Sequence, residues 1–536
     1  MMQFAGMASN RGRNLMHLDD LEPGGAELSV VLTNDADAPV LEKAARRDIP
    51  TAVVEQPEDM GRREHERRVL QALEAHEFDL VVLDGYMRIL SDTFLDAVPT
   101  TINIHPSLLP SFPGMDAHEQ VLDAGVAVTG CTVHVVINAI AEDGSIMSDA
   151  VDGGPILTQE AVPVYEGDDT DSLKRRVLYE AEFKAYPRVV RWFAEDRVEL
   201  QDDEVTIQGD TEGPFPQRLV KSADKAAELR YGENPHQDAA VYADATVEEA
   251  NVVTAPQLND GAKDLSFNNY ADADAALDLV KEFEDPAAAV IKHTNPAGCA
   301  VADTLAAAYE RALATDPKSA FGGIVALNRE CDRETAAAIT DSFKEVVVGP
   351  SYTEGALEIL ESEENLRMLA VGPLGERSRS LVERPLVGGT LLQERDLQRP
   401  TREDIEVVTE RAPTDDEFET MQFAWQTLKH VRSNGILFAT GTETVGIGMG
   451  QVSRVDAVKL AAMKAEGDAE GKSAAGAVMA SDAFFPFRDG LDEAAKAGIG
   501  AVIQPGGSVN DEEVIDAANE HGMAMVFTGS RSFRHG

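Results

Sequence analysis

Short apolar runs alternate with amphipathic stretches over the first two hundred residues. Leu28–Thr33, Ala52–Val54, Leu80–Asp84 and Thr101–Ile104 suit buried parallel strands. Val40–Arg47 and Gly61–Ala75, between them, carry helix formers with polar faces, and Gln3–Ala8 reads as a weak strand. Thr129–Ile137 and Pro155–Glu160 predict further strands, and a helix from Asp171 to Phe193 closes the unit. This βαβα succession predicts an α/β domain over residues 1–200, built on a doubly wound, mostly parallel sheet. Gln201–Glu228 is polar, is broken by Pro214 and Pro216, and holds no sustained period, so residues 201–228 read as a linker. A second α/β region, rich in Ala, Gly and Val, occupies 229–536, with a division into two subdomains expected within Gly372–Asp404. No repeat of 20–50 residues and no low-complexity tract is visible.

Composition narrows the setting. No stretch approaches the roughly 20 apolar residues of a membrane span, and Arg11, Arg13 and His17 interrupt any signal-peptide core in the first twenty residues. Cys131, Cys299 and Cys331 stand far apart, which argues against a disulfide framework or a structural zinc site. A cytoplasmic protein without membrane contact or bound metal is expected. The formal net charge of −48 repels phosphate backbones, so nucleic acid is not an expected partner. That charge far exceeds the magnitude of about 2–8 recommended for a small soluble domain. With lysine much scarcer than arginine, it suggests an acidic, halophilic proteome whose salt screens the repulsion. A thermal melt equally high in dilute buffer and in molar potassium chloride would count against that reading.

One octet concentrates candidate chemistry, Asn103-Ile104-His105-Pro106-Ser107-Leu108-Leu109-Pro110. Alternate side chains of a strand share a face, so Asn103 and His105 point together at a strand end, where ligands of α/β domains sit. An amide donor beside a titratable imidazole suits a developing oxyanion and a moving proton. Alone, Asn-x-His is more often a capped turn with an incidental histidine.

The octet has companions in a fixed order: Ser9-Asn10-Arg11-Gly12-Arg13-Asn14-Leu15, Gly85-Tyr86-Met87-Arg88-Ile89-Leu90-Ser91, Phe112-Pro113-Gly114 and Asp152-Gly153-Gly154-Pro155. Together they resemble the phosphoribosylglycinamide formyltransferase family, which moves a formyl group from 10-formyltetrahydrofolate to glycinamide ribonucleotide. The resemblance implies that Asn103 and protonated His105 stabilise the oxyanion. Asp152 would hold His105 in its charged form, as a neighbouring carboxylate raises an imidazole pKa, and would assist proton transfer through water. It assigns Gly12, Arg13 and Asn14 to the acceptor, whose phosphate would meet backbone N–H groups at a helix start. Arg13 departs from the small residue expected there and can add a charge-assisted contact. It also places Met87, Arg88, Ile89 and Leu90 around the pteridine ring, Glu182 on the nucleotide and Arg63 near its phosphate. Read singly, these are a strand-end packing segment and two helix-surface charges. One departure stands out: where the family has a few residues between His134 and Asp152, this chain has Val135–Val151. The addition, Asn138–Val151, is acidic, contains Gly144, and is expected as an extended loop or hairpin beside the folate.

The second region carries Leu229-Arg230-Tyr231-Gly232-Glu233-Asn234-Pro235-His236-Gln237, Leu265-Ser266-Phe267-Asn268-Asn269 and Val290-Ile291-Lys292-His293-Thr294-Asn295-Pro296-Ala297-Gly298. Ser319–Gly323, Gly446–Arg454, Ser481–Asp489 and Arg531–His535 follow. These resemble the transformylase half of the bifunctional purine enzyme that formylates aminoimidazole carboxamide ribonucleotide (AICAR), whose fold is similar to cytidine deaminases. The resemblance implies two deaminase-like subdomains, with His293 as proton acceptor and Lys292 beside the formyl donor. It implies Arg230, Tyr231, Asn269, Asn434 and Arg531 on the nucleotide, and Gln451, Ser453, Arg454, Phe484 and Pro486 on the folate side. Gly446-x-Gly448-x-Gly450 lacks the spacing and acidic partner of a dinucleotide fingerprint. No Cys-x-x-Cys or His-x-Glu zinc set occurs, and nothing resembles the cyclohydrolase domain that usually precedes this half.

The expected function is a bifunctional formyltransferase of purine biosynthesis with 10-formyltetrahydrofolate as co-substrate, homodimeric through its C-terminal domain. The rival is a chain active only at the second site, its N-terminal half a formyltetrahydrofolate hydrolase-like or non-catalytic folate module. A methionyl-tRNA formyltransferase is disfavoured by the phosphate-type turn near Gly12 and by the negative charge.

Overall fold

The computed structural model describes residues 1–535 apart from 142, 202–203, 210–212, 217 and 260–262. The chain forms two compact units, Met1–Leu219 and Val220–Gly536.

The first unit holds a seven-stranded sheet of β1 (Gln3–Met7), β2 (Glu27–Thr33), β3 (Thr51–Val53), β4 (Leu80–Leu83), β5 (Thr101–His105), β6 (Val128–Val135) and β7 (Ile156–Pro163). Its order is β3-β2-β1-β4-β5-β6-β7, parallel from β3 to β5 and antiparallel through β6 and β7. β1, weakly marked in the sequence, is a central strand with Phe4, Ala5 and Met7 fully buried. The strand order reverses between β1 and β4, and the loops leaving their carboxyl ends frame a crevice, the usual ligand position in such sheets.

The expected helix over Asp171–Phe193 is not uniform. An α-helix at Thr170–Arg176, capped reciprocally by Asp169 and Ser172, passes into a π-turn at Val177–Glu182 and resumes as α-helix over Phe183–Ala194. Pro187 lacks the N–H that would reach the Phe183 carbonyl four residues back. His17 supplies a partner instead, its Nε2 lying 3.2 Å from that oxygen and its ring stacked on Phe183. π-Turns recur at functional positions, and this one ends on Glu182.

The stretch read as a linker contains regular structure. Val198–Gln201 pairs with Glu204–Ile207, and a strand at Asp224–Leu229 pairs with Ala239–Ala243. Alternation over four to six largely polar residues is too weak a signal to separate such hairpins from loop. Positions 202–203, 210–212 and 217 of that stretch lie outside the described residues.

The second unit is organised by one eleven-stranded sheet with two similar halves. In the first, Ala287–Lys292 and Asn295–Val301 form a hairpin, Ile324–Leu327 runs antiparallel to the former, and Val346–Gly349 and Arg367–Ala370 continue in parallel. In the second, Ile436–Thr440 and Glu443–Gly448 form the hairpin, followed by Val478–Ser481, Ala501–Gln504 and Ala524–Phe527 in the same relations. The halves meet where Ala300 pairs with Glu443. The Gly-x-Gly run has a packing role: a Cβ on Gly448 would stand 1.9 Å from the Ala457 carbonyl oxygen, and one on Gly446 2.3 Å from that of Ala461. These glycines let the Arg454–Gly467 helix lie directly on the strand.

Candidate functional sites

In the first unit, β5 and β6 place Asn103 opposite His134 and His105 opposite Thr132. His134 Nδ1 lies 3.0 Å from the Val135 carbonyl and its Nε2 3.2 Å from Asn103 Nδ2. A proton on Nδ1 satisfies both contacts and orients the Asn103 amide, whose second N–H stays available. Asp152 stands in a left-handed conformation (φ 55) ahead of Gly153-Gly154, and a Cβ on Gly154 would sit 1.9 Å from the Val135 carbonyl oxygen. This close approach brings Asp152 Oδ2 to 3.2 Å from His105 Nδ1, with Oδ1 3.6 Å from His134 Nε2 and the Gly114 N–H donating at 2.9 Å. The structure therefore gathers Asn103, His105 and Asp152, and adds His134, which bridges them.

Burial pushes the Asp152 carboxyl up, but the flanking imidazoles of His134 and His105 and the Gly114 N–H together hold it below the usual carboxylate range. His105 is only 4% exposed. Desolvation depresses its pKa by more than Asp152 and the Phe112 carbonyl restore. Yet both ring nitrogens face acceptors, since Nε2 lies 2.8 Å from the Phe112 carbonyl. Burial thus works against a charged ring, while the two acceptors at its nitrogens work for one.

The turn at Gly12–Asn14 opens the helix Arg13–Leu21, with Gly12 left-handed at φ 51. Its amides are not all free. Asp84, at the end of β4, accepts from the N–H of Asn14 at 2.8 Å and of Leu15 at 3.4 Å, and from Asn14 Nδ2 at 3.1 Å. An internal carboxylate thus takes part of the helix start expected for a phosphate. Asn14 Nδ2 also donates to Glu182 at 2.7 Å. Burial, reinforced by the charge of Asp84, pushes Glu182 up to about 7, although Asn14 opposes it. Asp84 is raised too, chiefly by burial.

Met87, Arg88, Ile89 and Leu90 line a cavity of about 790 Å³ together with Arg62, Arg63, Glu66 and the inserted segment. Glu66 fixes one wall by accepting from the Ser91 backbone N–H at 2.8 Å and from its hydroxyl. Arg63 belongs to this cavity, where it faces Asp92 at 3.3 Å. The insertion forms a small hairpin, with Ile140 bridged to Ile146 and Gly144 at its turn; Ile140, Asp143 and Ile146 close the cavity from above. Residue 142 lies outside the described residues.

In the second unit, Lys292 ends its strand and donates from Nζ to the Gly322 carbonyl at 2.7 Å and the Phe321 carbonyl at 3.3 Å. His293 is exposed on the two-residue turn that follows. Asn295 ties this turn onward: its Nδ2 donates to the His293 carbonyl at 3.0 Å, and its Oδ1 accepts from the Arg432 N–H at 3.1 Å. Ser433 and Arg534 exchange hydrogen bonds at 2.9 Å, which brings the last residues of the chain to the same place. Asn434 donates to the Gln451 and Val452 carbonyls at 2.8 and 3.0 Å and accepts from Arg454 at 2.7 Å. Arg454 is buried on Asp482 and Ser481, and Ser453 opens its helix. Asn269 is buried too, in a capping box with Ser266 and donating to Glu345 at 2.9 Å. Arg230, Arg531 and Phe484 are exposed, Arg230 beside the Tyr231 ring and Arg531 over Phe533. Pro486 accepts from Asn510 through its carbonyl. Among the described residues no group of three or more His, Cys, Asp or Glu is placed to hold a metal, and no helix is long and apolar enough to cross a membrane.

Comparison with known proteins gives two matched regions that overlap at residues 181–190. Residues 2–190 match the formyl transferase family, and residues 181–464 match the AICARFT/IMPCHase bienzyme family. Solved structures similar to the chain include glycinamide ribonucleotide transformylase 1 from Symbiobacterium toebii, 38% identical over 39% of this chain and 95% of that one, with a TM-score of 0.35. Phosphoribosylglycinamide formyltransferase from Anaplasma phagocytophilum is 37% identical over 39% and 96%, with a TM-score of 0.35. The Brucella melitensis protein of the same name is 38% identical over 36% and 95%, with a TM-score of 0.32. Matched over more than half its length, the chain belongs to the AICARFT/IMPCHase bienzyme family, and it joins to that region a member of the formyl transferase family.

Proposed function

We propose that the protein formylates two acceptors of purine biosynthesis, glycinamide ribonucleotide at the Asn103–His105–Asp152 site and AICAR at the Lys292–His293 site. The observation that carries the first assignment is Asp152 caught between His105 and His134 with Asn103 on the same cluster. Bound 10-formyltetrahydrofolate supplies the electrophilic formyl carbon. Asn103 directs its free N–H at the charge developing on the formyl oxygen, and removing such a donor costs about 10²–10³ in rate. The acceptor amine bonds to the formyl carbon and the folate nitrogen departs, while the proton the amine loses passes by way of His105 and Asp152 to the departing nitrogen. Glu182 and Asn14 hold the acceptor, and Met87–Leu90 with the 140–146 hairpin exclude water from the donor.

At the second site His293 takes the proton from the weakly nucleophilic amine, while Lys292 stands beside the donor. Arg230, Tyr231, Asn269, Asn434 and Arg531 are proposed on the nucleotide, and Gln451, Ser453, Arg454, Phe484 and Pro486 on the folate side. Positioning carries most of the work here, for effective molarity can supply about 7–11 kcal/mol. The second unit is proposed to act as a homodimer. Its hairpin Leu381–Leu386/Gly389–Glu394 stands exposed with Leu381, Val382, Leu386, Val387 and Leu391 uncovered. An isolated hairpin is marginal in water, and a second copy would cover it. A salt-rich cytoplasm is the proposed setting, supported by the charge of −48.

The test is purified protein in molar potassium chloride, given 10-formyltetrahydrofolate with each nucleotide separately. Both nucleotides are expected to be formylated, and formyl-AICAR is expected to accumulate without ring closure. Failure with glycinamide ribonucleotide alone would restore the rival reading of a non-catalytic N-terminal half.

A further inference from the structure

The geometry points to Asp272 as a positioning residue of the second site, one that holds the turn carrying His293 in a left-handed conformation. The inference rests on the reading of His293 as the proton acceptor. His293 (φ 53) and Thr294 (φ 60) are consecutive non-glycine residues with positive φ, joining Ala287–Lys292 to Asn295–Val301. A two-residue hairpin turn of this kind normally takes Asn-Gly or Gly-Gly, and a β-branched residue such as Thr294 is an outlier there. Something must over-determine it.

Asp272, on the helix Phe267–Val280, does so. Its Oδ1 accepts from the Thr294 N–H at 2.6 Å and its Oδ2 from the His293 N–H at 3.2 Å. Both carboxylate oxygens are thus engaged by the two turn amides, and no cationic side chain pairs with Asp272 among the described residues. The second half of the sheet supplies an internal control. Its corresponding hairpin turns at Gly441–Thr442, where glycine takes the left-handed position at φ 54 and Thr442 has no positive φ. The helix corresponding to Phe267–Val280 is Asp415–Leu428, and no side chain receives the Gly441 or Thr442 N–H among the described residues. One copy relieves the turn with glycine, and the other keeps a histidine there and clamps it with a carboxylate. A clamp on the backbone of His293 fixes the direction in which its Cα–Cβ bond leaves the turn.

The test compares four proteins under both assays. Wild type must formylate AICAR, and His293→Ala must lose that activity; if either fails, the reading of the site falls before the inference is reached. Given both, Asp272→Ala is expected to lower kcat for AICAR about 100-fold, the scale of a small misplacement of a reacting group. KM for AICAR should stay within about threefold, and formylation of glycinamide ribonucleotide should be unchanged. Asp272→Ala/Thr294→Gly is expected to recover at least about tenfold in kcat, because glycine adopts the turn without the clamp. A purely structural loss would depress both activities and would not be rescued by glycine. The inference is overturned if Asp272→Ala keeps more than about a third of kcat, if both activities fall together, or if the double variant is no better than the single one.

Discussion

The two candidate sites solve formyl transfer from opposite starting points. The first is enclosed: His105 is buried, Asp152 is nearly so, and both are held by partners from the same unit. The second is open, with His293 exposed on a turn tip and several neighbouring polar groups already bonded to one another. Enclosure tunes the chemistry of a group, as it does the pKa of His105. Openness leaves rate to placement, and placement there depends on backbone conformation. The sheets mirror this contrast, since the first site hangs from strand ends and the second from a strained hairpin.

The sharpest way to break the comparison is to exchange losses. His105→Ala is expected to lower glycinamide ribonucleotide formylation by about 10³ while leaving AICAR formylation within twofold, and His293→Ala to do the reverse. A shared loss in steady-state assays would mean the sites are not independent. Next in size is Gly448→Ala, which forces a methyl against the backbone of the Arg454–Gly467 helix. It should destabilise the second unit by about 3 kcal/mol. Trp425 fluorescence in urea should report that shift, while Trp192 in the first unit reports none.

A smaller effect should come from replacing residues 139–147 with a two-residue turn. The cavity lined by Met87–Leu90, proposed to take the folate, loses the wall made by Ile140, Asp143 and Ile146, so KM for 10-formyltetrahydrofolate should rise about tenfold at the first site only, with kcat less affected. The smallest concerns acid. Burial, assisted by Lys174 and His105, lowers the His118 pKa from 6.5 to about 4. The folded state therefore favours the neutral ring. Its contribution is complete above pH 6.5 and is lost as pH falls toward 4, when the unfolded chain binds a proton that the folded one refuses. His105 acts in the same sense. Urea midpoints of the first unit should fall by the equivalent of about 1 kcal/mol between pH 7 and pH 5, and His118→Gln should flatten the profile.

Much of the first unit was legible because strands such as Leu80–Leu83 are continuous apolar runs and the site motifs sit at their ends. What escaped was relational. His134 acquires its role only from the register that sets it opposite Asn103 across an antiparallel pair, which no local pattern encodes. Asp84 could have been noticed as an acid ending an apolar strand, but its target is a helix start seventy residues earlier. The direction in which the His105 pKa moves depends on weighing burial against a carboxylate, and burial is a tertiary quantity. In the second unit the resemblance implied two subdomains, but their joining into one continuous sheet was not visible, because the halves share strand order rather than residues. Asp272 lay on an Ala- and Asp-rich helix with nothing to separate it from Asp274 or Asp278.

That duplication has a practical side. Each half of the large sheet holds its own hairpin and three further strands, and the two join edge to edge at Ala300 and Glu443 while sharing a core that includes Ala289, Leu437 and Ile447. A chain opened between Gly372 and Gly375 would yield two pieces, each with a complete set of strand neighbours and an apolar face that only the other can cover. Such fragments are suited to reassembly on co-expression. They would make the second unit a complementation reporter whose signal is purine auxotrophy or its rescue.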